Sequence, residues 1–134
     1  MSVSLTHIAL HCEDIEASVA FYKDWCGMNI THERVDNGVR VTWVAEPGKE
    51  NDFIIVLIGG GHPYHKHPED FSHLGFDMPA RSDVDDIAAR AAADSILAWP
   101  TQELPPPVGY FCGVADPDGR IVEFSHGQPI GYDS

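Results

Sequence analysis

The chain has 134 residues and 43% hydrophobic content, enough for one globular domain with its own core and too apolar for a disordered chain. Eight Lys and Arg stand against 21 Asp and Glu, a formal net charge of −13 with His neutral, which excludes the basic footprint of a nucleic-acid-binding protein and disfavours acidic membranes and large anionic cofactors. Metal cations and neutral or aromatic small molecules remain compatible with that balance.

Residues 1–14 carry neither the basic n-region nor the apolar h-region of a signal peptide. The longest apolar run, residues 53–58, is far too short to cross a bilayer. Cys12, Cys26 and Cys112 are odd in number and form no CxxC, so free thiols in a cytoplasmic protein are expected.

In chain order, residues 3–12 read as a strand with Val3, Leu5, His7, Ala9 and His11 on one face. Asp14 is a good helix N-cap, followed by Ile15, Val19, Tyr22 and Cys26 at helical spacing, with Gly27 as the residue that ends the helix. Residues 28–35 and 39–46 are strands joined through Asp36-Asn37-Gly38, a hairpin signal. Residues 52–58 form a buried strand, and Gly59-Gly60-Gly61-His62-Pro63 breaks the pattern. A similar order then begins again. Residues 71–78 read as a strand. Ser82 opens an S-x-x-D capping pattern before a helical stripe of Val84, Ile87, Ala88 and Ala91. Strands follow at 96–99, 108–114 and 120–125, with a proline loop at 105–107 and a tight turn at Asp116-Pro117-Asp118-Gly119.

The order is therefore βαβββ, a linker, and βαβββ. A single domain of residues 1–134 would hold a first module at 1–58, a linker at 59–70 and a second module at 71–134. His7 and His73 stand 66 residues apart, in the first strand of each module. The expected class is α+β, with curved sheets and outer helices.

HIALHCEDIEASVAFYKDWCG in the first module, with HLGF and then DPDGRIVEFS in the second, resembles the vicinal oxygen chelate superfamily. That group includes glyoxalases, extradiol dioxygenases, fosfomycin-resistance thiol transferases, methylmalonyl-CoA epimerases and bleomycin-resistance proteins. The resemblance covers nearly the whole chain. It implies two βαβββ modules forming a curved mixed sheet around a metal-binding cleft. It also implies a divalent ion, Fe(II), Mn(II), Zn(II) or Ni(II), held by His7, His73 and Glu123. The fourth family position falls near Ile55 or Val56, and every residue from 53 to 58 is apolar, so a fourth protein ligand is absent in either register. Two imidazoles and a carboxylate leave coordination positions open for a chelating substrate, water or O₂. Metal binding of this kind weakens in acid, because imidazole ligands must be neutral and the carboxylate ionised. The competing reading makes His7 and His73 hydrogen-bonded strand residues and Glu123 a solvated one.

Three ligands weigh against glyoxalase I and epimerase chemistry, which in the family look to a second carboxylate near the metal. The extradiol pattern expects a Tyr where Gly113 stands and a His before it, yet residues 96–113 contain no His. The fosfomycin enzymes usually carry Thr where Ala9 stands, and their cationic cluster near the end is missing, since Arg120 is the last basic residue. His11, on the His7 face, is a candidate acid or base, or else a rim histidine bonded to backbone. Tyr110 and Trp43 are candidate aromatic walls or core residues, with Tyr110 the candidate catalytic one. His62, His65 and His67 lie in a stretch that reads as a lid or as an exposed linker. Cys112 reads as a buried inert thiol.

The function expected is a divalent-metal-dependent enzyme acting on a small molecule with vicinal oxygens, by dioxygenase-like or glyoxalase-like lyase chemistry. The alternative is a metal-free protein that sequesters a small molecule, of the bleomycin-resistance type. The expected partners are a small-molecule substrate and a second copy in a homodimer, with no nucleic acid and no membrane.

Overall fold

The computed structural model describes residues 2–131, and the chain divides between His65 and Lys66 into two compact units. The first holds β1 (His7–His11), α1 (Ile15–Asp24), β2 (Asn29–Asp36), β3 (Val39–Ala45) and β4 (Ile54–Ile58). Its sheet runs β1-β4-β3-β2, with β1 parallel to β4 and the other pairs antiparallel. The first strand begins at His7 and not at residue 3. Val3 and Leu5 are 84% and 80% exposed, so the alternation seen there has no buried face to specify a strand.

Local chemistry sets the ends of α1. The Asp14 carboxylate accepts the Ala17 N–H at 3.2 Å, satisfying one of the donors a helix start leaves unpaired. At the other end Gly27 takes φ +67°, and the Gly27 and Met28 N–H groups donate to the Lys23 and Tyr22 carbonyls, each at 3.1 Å. That paired closure needs the left-handed conformation glycine adopts without strain. The hairpin between β2 and β3 uses Asn37 at φ 51° and Gly38 at φ 82°, the two positive values a tight two-residue turn requires. Ile15, Phe21 and Tyr22 of α1 are buried against the sheet face that carries Val44, Ile55 and Leu57.

The second unit repeats the plan with β5 (His73–Asp77), α2 (Arg81–Ala93), β6 (Leu97–Leu104), β7 (Gly109–Ala115) and β8 (Ile121–His126), in the order β5-β8-β7-β6. Here α2 starts one residue before Ser82. Ala80 takes the cap position, and its N–H donates to the Asp83 carboxylate at 3.0 Å, so Ser82 lies inside the helix and caps nothing. The β6 strand runs on through Pro100 to Leu104, well past the expected end at 99. It is an edge strand, where a missing N–H is tolerated, and its register breaks between Trp99 and Gln102 around the proline. The turn before β8 forms as its residues require. The Asp116 carboxylate accepts from the Asp118 and Arg120 N–H groups, each at 2.9 Å, and Gly119 takes φ 86°. Val84, Ala88 and Ala91 of α2 are buried with Cys112, Val114, Val122 and Phe124 in this unit's core.

The two sheets share one register. His7 pairs with Ile54 and Ala9 with Val56 in the first; His73 pairs with Ile121 and Gly75 with Glu123 in the second. Val56 is thus the first-unit counterpart of Glu123, which decides between the two positions the sequence left open. Among the described residues no helix is long and apolar enough to cross a membrane.

Candidate metal centre

Three strands of the second unit build the site from one face of the sheet. His73 starts β5. Glu123 lies on the adjacent strand β8, level with Gly75 on one side and Gly113 of β7 on the other. The His73 Nε2 atom is 3.8 Å from the Glu123 Oε2 atom. His73 Nδ1 lies 2.7 Å from the Phe71 carbonyl oxygen, which can only accept. That contact assigns the ring proton to Nδ1, so in the neutral ring the Nε2 lone pair faces the carboxylate. Two acceptors facing each other call for something positive between them, a proton or a cation.

Glu123 is 6% exposed, too enclosed for water to screen its charge well. Its Oε2 also accepts from Gln128 Nε2 at 3.3 Å. Space is left beside it because Gly75 has no side chain; a Cβ there would sit 3.5 Å from Oε2. The imidazole is steadied by Trp99, whose ring meets it edge to face with centroids 5.2 Å apart. Trp99 in turn fills the space over Gly113, where a Cβ would come within 2.7 Å of the indole. Trp99 and Gln128 were not singled out in the sequence. Gly113 inside a strand was the available signal, since such a glycine often marks close approach by another group.

In the first unit His7 opens β1 at the position His73 holds in β5. Its Nδ1 is 3.0 Å from the Thr6 hydroxyl, an arrangement that again leaves Nε2 as the ring's remaining nitrogen. His7 lines a cleft of about 450 Å³ together with Thr6, Thr31, Trp43, Phe53 and Val56 among others. His11, farther along β1, places Nε2 3.2 Å from the Gly59 carbonyl oxygen, so this ring is tied to backbone within its own unit. Val56, level with Trp43 across the sheet, supplies no donor atom where the second unit has Glu123.

Tyr110 is not where the sequence reading put it. On β7 the residues level with Glu123 and Ser125 are Gly113 and Phe111, so Tyr110 and Cys112 point to the opposite, helix-covered face. The Tyr110 hydroxyl donates to Asp85 of α2, and the Arg81 guanidinium lies over its ring at 3.7 Å. Cys112 lies at the same helix, with Sγ 3.9 Å from the Val84 carbonyl, and burial pushes its thiol up to about 11, with Glu123 and Asp85 adding to the effect.

The structure therefore brings His73 and Glu123 together and sets His7 at the matching place in the other unit. Among the described residues no three His, Cys, Asp or Glu side chains gather into a complete cation site. The His73–Glu123 pair does suit a divalent ion: a nitrogen and an oxygen donor on rigid strands, with a carbonyl fixing the imidazole and no side chain crowding the carboxylate.

A model of the Glyoxalase/Bleomycin resistance protein/Dioxygenase superfamily matches residues 4–124, and the chain belongs to that family. It is 49% identical over 131 residues to an uncharacterized protein of Pseudomonas aeruginosa, covering 98% of this chain and 94% of that one. Its fold matches glyoxalase I from Leishmania major, described as trypanothione-dependent, with a TM-score of 0.71 at 19% identity, over 97% of this chain and 91% of that one. It matches equally a fosfomycin resistance protein of Listeria monocytogenes, FosX, solved as a mutant complexed with Mn(II) and a dihydroxypropylphosphonic acid. There the TM-score is 0.69 at 19% identity, over 93% of each chain.

Proposed function

We propose that this protein is a divalent-metal-dependent enzyme acting on a small molecule with two adjacent oxygens. The observation that carries the reading is the His73–Glu123 pair, an imidazole lone pair and an enclosed carboxylate facing each other at 3.8 Å with the imidazole tautomer fixed by a backbone carbonyl. His73, Glu123 and His7 would hold the ion, Fe(II), Mn(II), Zn(II) or Ni(II). Such an ion supplies Lewis-acid polarisation of vicinal oxygens and stabilises negative charge developing on them.

The chain's own residues do the rest. The Phe71 carbonyl and the Trp99 ring keep the His73 imidazole in one orientation, and the Gln128 amide holds one Glu123 oxygen. His11 is the candidate base; its Nε2–H donates to the Gly59 carbonyl, which assigns the proton-accepting role to Nδ1. Tyr110 has no part in the proposal, since its hydroxyl is engaged on the helix face. The reaction belongs to the dioxygenase-like or lyase-like classes, and the protein is proposed to work as a cytoplasmic homodimer. The Mn(II) complex of the Listeria relative supports the metal.

The test is metal content. Untagged protein is expected to carry a divalent ion stoichiometrically by mass spectrometry, with His7→Ala, His73→Ala and Glu123→Ala each losing it. Failure of the parent protein to take up any divalent ion at neutral pH after reconstitution overturns the proposal. Oxygen uptake with a panel of catechols then separates dioxygenase from lyase. A metal-free sequestration protein is the second reading, favoured by the aromatic walls that Trp43 and Phe53 give the first-unit cleft.

A further inference from the structure

Apart from His7, the first-unit cleft is lined by side chains that the proposed metal centre does not use. Its volume is about 450 Å³, ample for one substituted aromatic ring. Trp43, Phe53, Ile54 and Val56 give it apolar walls, and His7 reaches it from β1. Its charged side chains, apart from the histidine, are Glu50 and Asp52, both exposed, and neither lysine nor arginine lines it. The nearby cations are already matched. Arg34 lies over the Trp43 ring at 5.9 Å with its Nε 2.7 Å from the Asp36 carboxylate, and Lys49 Nζ is 3.6 Å from Glu46.

Trp43 itself is held at a cost. Its indole Nε1–H is buried with no hydrogen-bond partner among the described residues. A buried donor left unmet is destabilising, and a phenylalanine would avoid it. Violations of this kind concentrate at functional positions. Because Nε1 is sealed off, the ring meets whatever enters the cleft through its carbon faces and edges. That selects for stacking and apolar contact.

We infer that this cleft is the substrate-ring pocket, and that it selects a planar aromatic molecule that is neutral or carries a cationic tail toward Glu50 and Asp52, while rejecting anionic ones. The inference rests on the proposed small-molecule activity for its meaning as a substrate class; the ring-binding step needs no metal. An ammonium tail would be attracted by both carboxylates, and a carboxylate tail would meet two like charges with no cation to receive it. A ring seated there lies beside His7.

Three phenols that cannot chelate through vicinal oxygens test this in metal-stripped protein: 4-ethylphenol, tyramine and 4-hydroxyphenylacetate. Binding is read from the Trp43 indole N–H signal by NMR, assigned with Trp43→Phe. Tyramine and 4-ethylphenol are expected to move that signal saturably, with 4-hydroxyphenylacetate binding at least about tenfold more weakly than tyramine. The double variant Glu50→Gln, Asp52→Asn, confined to exposed side chains, is expected to erase the preference and leave 4-ethylphenol unchanged. Equal binding of the anion, or an unmoved Trp43 signal with all three, overturns the inference. Since no metal is present, neither result depends on the metal proposal, which its own metal analysis decides.

Discussion

Trp99 occupies the space that a side chain on Gly113 would need. A Cβ built on Gly113 would lie 2.7 Å from the indole, and the same indole meets the His73 imidazole edge to face at 5.2 Å. A backbone position on β7 thus governs the orientation of a proposed ligand on β5, although no bond joins them.

Gly113→Ala should therefore act at a distance. The added methyl must push Trp99 aside, since the neighbouring atoms belong to the ring itself. Overpacking of this kind costs about 1–3 kcal/mol in stability. With His73 no longer steadied, divalent-metal affinity should also fall about tenfold. Denaturant melts and a metal titration check the two effects separately. Unchanged metal affinity in a folded variant would show that Trp99 plays no part in orienting His73.

Glu123→Gln keeps the volume and removes the charge. Among the described residues a histidine and an amide stand beside the enclosed carboxylate, so the metal-free variant should be as stable as the parent or gain about 1 kcal/mol. In the parent protein a divalent ion should raise the melting temperature; in the variant that rise should disappear. Thermal scans with and without Mn(II) distinguish this from a purely structural role, in which the ion would shift both proteins alike.

Val56 stands where Glu123 stands in the other unit, level with Ala9 as Glu123 is level with Gly75. Val56→Glu should recreate the imidazole–carboxylate pair beside His7. The half-buried carboxylate would lower metal-free stability by about 1–3 kcal/mol. Metal affinity should rise at least about tenfold, because a fourth donor joins the set. Calorimetric titration of the folded variant reads it directly, and affinity at or below the parent's would count against the register-matched site.

The cysteines should differ sharply in reactivity. Cys112 is buried and its thiol is pushed up to about 11, so at pH 8 it stays protonated and sheltered. Iodoacetamide should label half-buried Cys26 first and reach Cys112 only on unfolding. The pH dependence follows the same sign. Unfolded Cys112 ionises near 9.0 and folded Cys112 near 11, so this residue's contribution to stability is complete below 9.0 and declines as pH rises across that window. Peptide mapping after timed labelling checks the first, and urea melts of the parent and Cys112→Ala between pH 8 and about 10.5 check the second.

The sequence by itself determined the element order and the duplication, and it placed a histidine at the start of each module. Each rests on local chemistry or on spacing: Asp14 at a helix start, Asn37-Gly38 in a hairpin, the Asp116 turn, and His7 and His73 at matching strand starts 66 residues apart. What only the tertiary structure decided is which way strand residues face and what lies across from them. On β7 both alternating sets, Tyr110-Cys112-Val114 and Phe111-Gly113-Ala115, are apolar enough to be buried, so periodicity could not choose which set meets α2. The register with β8 chose it and turned Tyr110 away from the face that carries Glu123. Likewise an unbroken apolar β4 left Ile55 and Val56 indistinguishable until pairing with β1 set Val56 level with Ala9. A side chain's face is a property of the pair of strands, and a single strand's sequence specifies it only when its two faces differ in polarity.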